Sequence, residues 1–528
     1  MYNRASTQVH KIRGDNILKR IPSTPGKWLL WLSLLVIVVL VRIPTITLPF
    51  LNDEDSFAYH AQLINQSEPL YGTHHPDHNL PAVYYTYAIV FKLFGDRPES
   101  VKLFLIPWIL LNALILVQIG QKALNWKAGY IAGVIFILIT STPFLNGEMA
   151  ETEQFANLPL TLGIWLILQL DTRKNNIFIA ILIGMAGAIS FLYKAVYLQS
   201  LAAVGGYLIL STFLEHNREA WKRLLIYSLA ILGGILLILG PIAAYFAAIG
   251  LWSRLWLVFH IGEAYVNANG TPLIYVLINP YLSLLIANIT LAYIGLVGFV
   301  LNILRLPKLI ITDRKHGLSE FIIIVWLLAS IVVAGISRYP FGHYQLLVVP
   351  PLALLVGLET TKVFDRFRQK HPLPRFNAIW IYAIILIAIL ANYVYSSKNY
   401  IGGYLEYLQG AISRTDFVEQ VMGSDAIVGE NIARFIDMNS TPNDTILAWT
   451  DNLPIYYLSK RRSSSDILMV EEVSSLGPPE RVIYSKPYFV ITNRAENELP
   501  LCLAQELATH YQLRMTNVKY QVYQRIAS

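Results

Sequence analysis

Residues 28–66 read WLLWLSLLVIVVLVRIPTITLPFLNDEDSFAYHAQLINQ. The first half, 28–48, is an apolar run of the length that crosses a hydrocarbon core as a helix, about 20 residues. It follows a polar, basic segment, 1–27, carrying Arg4, Lys11, Arg13, Lys19, Arg20 and Lys27. No small-residue cleavage site follows the run, so it reads as an uncleaved first span. The second half begins with Asn52-Asp53-Glu54-Asp55, after which Phe57, Ala61 and Ile64 recur at spacings of four and three. That pattern predicts a short amphipathic helix along the membrane surface, capped by Asn52, with three carboxylates in its first turn. Acids there favour the helix dipole whatever else they do. Charge beside a membrane is also retained for chemistry, and the sequence leaves both readings open.

The rest of the chain has the same character. Of 528 residues, 55% are hydrophobic and 14% charged, with a mean hydropathy of +0.48, which is not the composition of an ordinary soluble domain. Aromatic residues make up 12%, including 31 Tyr and 11 Trp, as suits a protein anchored at two membrane–water interfaces. The net charge of +7 does not imply nucleic acid, because Lys and Arg fall in short clusters between apolar runs. Cys502 is the single cysteine, which excludes an intrachain disulfide and a cysteine-based metal site.

Apolar runs of spanning length fall at 28–48, 101–121, 127–145, 155–171, 176–193, 195–214, 223–249, 281–304, 319–336, 341–358 and 377–395. Segment 80–95, LPAVYYTYAIVFKLFG, is short and Tyr-rich, and either crosses or lies in the interface. The positive-inside rule decides. If 80–95 does not cross, the clusters at Lys122 and Lys127, Arg173 and Lys174, Arg218 to Arg223, Arg305 to Lys315 and Lys362 to Arg375 all share the side of the basic N-terminus. The opposite, outer face then receives 50–100, 146–154, 250–280, 337–341, Lys194 and everything after about 396. Residues 400–528 have the size and composition of one small α/β domain. In it TILAW (445–449) and YFVIT (488–492) read as strands, 416–438 and 497–510 as helices, and KYQVYQR (519–525) as an edge strand. The expected fold is an α-helical polytopic membrane protein of about eleven spans with juxtamembrane interfacial helices. A basic cytoplasmic N-terminus (1–27) precedes a transmembrane domain (28–399), and a C-terminal extracytoplasmic α/β domain (400–528) follows it.

Several groups join the first acids on the outer face. GEMAETEQFANLPL (147–160) carries Glu148, Glu151 and Glu153 just before a span. SFLYKAVYLQS (190–200) carries Lys194 between apolar flanks, where a lysine must snorkel, pair or bind an anion. SRYPFGHYQLLVVPP (337–351) carries Arg338, His343 and Tyr344, which bind a ligand or anchor the interface. His74, His75 and His78 in YGTHHPDHNLP suggest a metal at first glance, but Pro76 denies them a helical ligand pair. No metal ligands are assigned.

With these residues in view the chain resembles the GT-C class of membrane glycosyltransferases, in the branch of the protein O-mannosyltransferases and aminoarabinose transferases. The resemblance runs over DEDSFAYHA, the Pro-containing aromatic segment ending FKLFG, AETEQFANLPL, FLYKAVYL, RYPFGHYQLLVVPPLALL and DTILAWTDNLPIYYLSKRR, in that order over nearly the whole chain. It implies transfer of a sugar from a polyprenyl-phosphate donor to a glycan, lipid or protein acceptor at the outer face of a plasma (inner) membrane. The family's base would be Asp53, with Glu54 beside it, and its second-loop acid Glu153. Lys194 would hold the lipid phosphate, and Arg338, His343, Tyr344, His78 and Asp55 would complete the substrate contacts. Relatives carry Lys before the Pro of the aromatic segment, where Leu80 precedes Pro81 here. Either His78 or Asn79 takes over part of that contact, or Lys194 and Arg338 carry more of the phosphate. The expected reaction is a single inverting displacement, with or without a divalent cation. A multi-span transporter or flippase of lipid-linked substrates is the alternative, and would show repeat symmetry and interrupted midplane helices. No internal repeat is evident.

Overall fold

The computed structural model describes residues 25–51, 53–74, 76–170, 176–268, 272–336, 338–339, 341–370, 375–450, 455–466, 468, 486–517 and 519–526. The expected cap Asn52, the basic residues before 25, His75, and Arg173 with Lys174 lie outside the described residues.

The helical part comprises α1 (Pro25–Arg42), α2 (Asp53–Asn65), α3 (Ala82–Phe94), α4 (Pro98–Ala123), α5 (Trp126–Ile139), α6 (Thr152–Gln169), α7 (Ile177–Phe191), α8 (Gln199–Glu215), α9 (Arg218–Ala248), α10 (Trp252–Ala268), α11 (Leu273–Ala287), α12 (Ile289–Thr312), α13 (Arg314–Ile336), α14 (Val349–Lys370) and α15 (Arg375–Ser396). Among the described residues, five segments are long and apolar enough to cross a membrane: Trp28–Thr47, Pro98–Ala123, Arg218–Ala248, Ile289–Thr312 and Arg314–Ile336. Proline sits inside α4, α6, α9 and α12, as neighbouring helices in membranes allow. The 13 residues of α3 rise about 20 Å, short of a hydrocarbon core of about 30 Å.

Two expectations change. The run 281–304 is not one helix: Asn288 ends α11 and caps α12, accepting the Leu291 N–H at 3.0 Å while its own amide donates to the Ile389 carbonyl at 3.0 Å. The stretch 250–280, expected as a loop, holds α10 and the start of α11. Helices meet most closely where side chains vanish. A Cβ on Gly184 of α7 would lie 2.0 Å from the Ile231 carbonyl oxygen of α9, and one on Gly234 of α9 would lie 2.0 Å from that of Ile181. Small residues bring backbones into contact in this way in membranes.

The C-terminal part comprises α16 (Lys398–Leu408), α17 (Arg414–Met422), α18 (Ser424–Met438), β1 (Thr445–Trp449), α19 (Ile455–Ser459), β2 (Arg462–Ser463), β3 (Phe489–Thr492), α20 (Leu501–His510), β4 (Tyr511–Thr516) and β5 (Gln521–Arg525). The sheet order is β2-β1-β3-β5-β4, with β2, β1 and β3 parallel and β5 antiparallel to both neighbours. KYQVYQR is therefore not the edge strand. Its Val522 and Tyr523 are buried between β3 and β4, and the edge is the largely exposed β4. The helix expected over 416–438 is two, parted at Gly423, whose φ of 83° is left-handed.

This part is seated on α2. The Ser463 N–H donates to Tyr59 Oη at 2.9 Å, and His74 Nδ1–H donates to the Ser465 carbonyl at 3.0 Å, leaving Nε2 to accept from Tyr59 Oη at 3.3 Å. Tyr457 of α19 stacks on Phe91 and Tyr456 packs on Tyr59.

Candidate active site

The site lies where α2, the loop before α6, the loop after α7 and the turn before α14 meet at one end of the bundle. Each is held by identifiable contacts. Glu54 of α2 is 0% exposed and ion-paired to Lys102 of α4, also 0% exposed. The Ala150 N–H donates to Glu54 Oε1 at 2.6 Å. Asp53, one residue back on the helix, points about 100° away and is half-buried.

The loop 147–151 is fixed on several sides. Gly147 O accepts from Arg42 and from Gln154 Nε2, and Ala150 O accepts from Tyr87 Oη at 2.8 Å. Glu151 then stands at the N-cap position of α6 without a capping side-chain bond, and Glu153 lies in its first turn. Glu153 is fully buried, with Tyr197 Oη donating to Oε1 and Thr152 Oγ1 to Oε2 at 3.1 Å. Lys194 comes from the loop between α7 and α8, with Nζ 4.7 Å from the Tyr344 ring centroid. Backbone bonds tie that loop to the His78 segment: the Leu80 N–H donates to Tyr193 O at 3.4 Å and the Ala82 N–H to Leu192 O at 2.9 Å. The turn 342–347 bearing His343 and Tyr344 rests on the segment between α5 and α6, since a Cβ on Gly342 would lie 2.6 Å from Phe144 O. Asn157 of α6 also donates to Leu346 O at 3.0 Å.

Electrostatics show which groups face one another. Burial pushes the Glu151 carboxyl well up, Asp53 and Glu153 add to the rise, and Lys194 opposes it. Burial lowers His78 to about 4, and Lys194 and His343 push the same way against Asp77 and Glu153. His343 is also lowered to about 4, by burial and by Lys194 against Glu153. At neutral pH both imidazoles are uncharged hydrogen-bonding groups, and Lys194 is the cation that Glu151 and Glu153 face. The structure thus brings together Asp53, Glu153, Lys194, His78, His343 and Tyr344 from five stretches of sequence.

Three further expected residues lie on the same elements or next to them. Asp55 is turned into the contact of α2 with Tyr87 and Tyr457. Burial, then Glu54, raises its carboxyl well above the usual range against the opposing pull of Lys102. Arg338 lies between α13 and the 342–347 turn, half-buried, at a left-handed φ of 61°. Glu148, in the 147–151 loop, is buried and raised to about 7, chiefly by burial. The described histidines of YGTHHPDHNLP part company, His74 turning to Tyr59 and Ser465 while His78 faces Lys194. Lys102 and Tyr197 escape the sequence reading. A lysine inside an apolar run was the available signal for the first, and nothing in FLYKAVYL distinguishes the second from an interfacial tyrosine.

The fold is of the GT-C class. It is similar to ArnT from Cupriavidus metallidurans bound to undecaprenyl phosphate, with a TM-score of 0.62, 14% identity, and coverage of 96% of this chain and 99% of that one. Apo ArnT from the same organism gives a TM-score of 0.58 at 13% identity, covering 94% and 97%. The oligosaccharyltransferase AglB from Archaeoglobus fulgidus, in complex with an inhibitory peptide and a dolichol-phosphate, gives 0.54 at 11%, covering 89% of this chain and 70% of that one. At such identities the likeness is one of fold. Residues 429–526 match the family Ccs4_C, described as the C-terminal domain of the competence-induced protein Ccs4. No curated protein sequence matches the chain.

Proposed function

We propose that the chain is a membrane glycosyltransferase that moves a sugar from a polyprenyl-phosphate donor to an acceptor hydroxyl, at the outer face of the membrane and with inversion. The observation that carries this is the meeting, at one end of a GT-C bundle, of Asp53 with Glu151, Glu153 and Lys194. Asp53 takes the proton as the acceptor oxygen attacks the anomeric carbon, a role worth about 10² to 10⁴-fold in rate. The bond from that carbon to the lipid phosphate breaks, and the phosphate leaves with the electron pair. Lys194 stabilises the charge that appears on it. His78 and His343, neutral at pH 7, donate to or accept from the phosphate and sugar. Glu153, held by Tyr197, keeps Lys194 oriented. The bound lipid phosphates of ArnT and AglB support a lipid-linked donor.

The test uses purified protein, a panel of synthetic polyprenyl-phosphate sugars and undecaprenyl phosphate as the binding probe. Wild type releases sugar from at least one donor. Asp53→Asn retains probe binding and loses at least about 100-fold in kcat. Wild type that neither binds the probe nor consumes any donor refutes the reading, and an active Asp53→Asn refutes the base.

A further inference from the structure

We infer that Glu54 is a positioning residue, not a catalytic one: with Lys102 it locks the loop that presents Glu151 and Glu153 to the helix that presents Asp53. Glu54 Oε1 receives both Lys102 Nζ and the Ala150 N–H, and Oε2 receives the Leu51 N–H at 3.4 Å. Lys102 Nζ also donates to Glu148 O at 3.3 Å and lies 5.7 Å from the Phe50 ring centroid. Tyr87 holds the other side of the same residue, through the Ala150 carbonyl. Ala150 is thus held by both its backbone groups, immediately before Glu151.

Glu54 and Lys102 are 0% exposed, so no acceptor reaches the carboxylate, although it adjoins Asp53 in sequence. Its charge is spent on Lys102, and a buried ion left without its partner is strongly destabilising. The hydrogen bond from the Ala150 N–H to Glu54 sets the distance between the two acid-bearing segments. A displacement of about 1 Å at a reacting centre costs on the order of 10²-fold in rate. The catalytic half of the inference rests on the glycosyltransferase reading.

A charge-neutral exchange separates positioning from chemistry. Gln at 54 keeps an oxygen for the Ala150 N–H, and Met at 102 removes the cation that would otherwise be stranded. Glu54→Gln and Lys102→Met alone each lower kcat about 100-fold with donor KM within about threefold of wild type. The double variant recovers to within about tenfold, with the wild-type pH profile, because the base is elsewhere. Thermal stabilisation by undecaprenyl phosphate shows that each variant is folded. Amide exchange over 147–153 reads the lock without any donor: it rises at least about tenfold in Glu54→Ala and stays near wild type in the double variant. A double variant as inactive as Glu54→Gln overturns the inference, as does exchange unmoved by Glu54→Ala. Wild type that consumes no donor while the exchange pattern holds defeats the glycosyltransferase reading and leaves the lock standing.

Discussion

Replacing Lys194 by Met tests the phosphate half of the site. The ammonium has a half-buried position, with Nζ 4.7 Å from the Tyr344 ring centroid and Glu153 and Glu151 as the carboxylates that feel it. A pair of unit charges about 4 Å apart is worth roughly 1 kcal/mol in water and roughly 4 kcal/mol at the effective dielectric of a protein edge. A charge-assisted hydrogen bond falls inside that range, at about 1.5–3 kcal/mol. Turning toward a phosphate sacrifices some of the cation–π contact, about 0.5–1 kcal/mol. The net contribution is then about 0.5–2.5 kcal/mol, or roughly 2- to 60-fold in Kd. The assay is equilibrium binding of undecaprenyl phosphate to nanodisc-reconstituted protein, with undecaprenol as the uncharged control. Lys194→Met weakens the phosphate by that factor and leaves undecaprenol unchanged, and Lys194→Arg stays much closer to wild type. A change below about twofold, or an equal loss for undecaprenol, refutes the assignment.

Two more outcomes follow from groups outside the spans. Glu148 binds its proton more tightly folded than unfolded, so its stabilising contribution is complete below the ordinary carboxylate range and is lost as pH rises through about 7. Unfolding midpoints should fall between pH 5 and 7, by up to about 1.4 kcal/mol of stability per pH unit, and Glu148→Gln should flatten that slope; an unchanged slope removes Glu148 as its cause. Tyr59→Phe breaks the relay from Ser463 through Tyr59 to His74, leaving a buried N–H unpaired at a cost of about 1–3 kcal/mol. Amide exchange over 455–466 should rise, and protection equal to wild type would show that the aromatic contacts alone hold the C-terminal part in place.

Much of the helical frame is legible from apolar runs alone, because membrane spans must satisfy their backbones internally and so must be long and continuous. The break at Asn288 is not, since its cause is a carbonyl on Ile389 about a hundred residues away. The acids of the site announce themselves by their place beside a span, yet their division of labour does not. Asp53, Glu54 and Asp55 differ by one helical step each, and only the packing of α2 on α3 and α4 decides which faces the site and which faces Lys102 or Tyr457. KYQVYQR alternates as an edge strand would, and the partner that makes it internal, Tyr511–Thr516, has too exposed a pattern to stand out.

The reciprocal glycine contacts of α7 and α9 bear on how this end of the molecule can move. With carbonyl oxygens lodged where Cβ atoms would be, neither helix can slide or roll without the other, and the two behave as one bar. Lys194 follows directly from the end of that bar. Asp53, Glu151 and Glu153 hang from a different frame, the one knotted at Ala150 and Lys102. Tyr197, three residues beyond Lys194, donates to Glu153, so bar and frame are fastened to each other at the site itself, and loosening that one bond would free the cation from the acids.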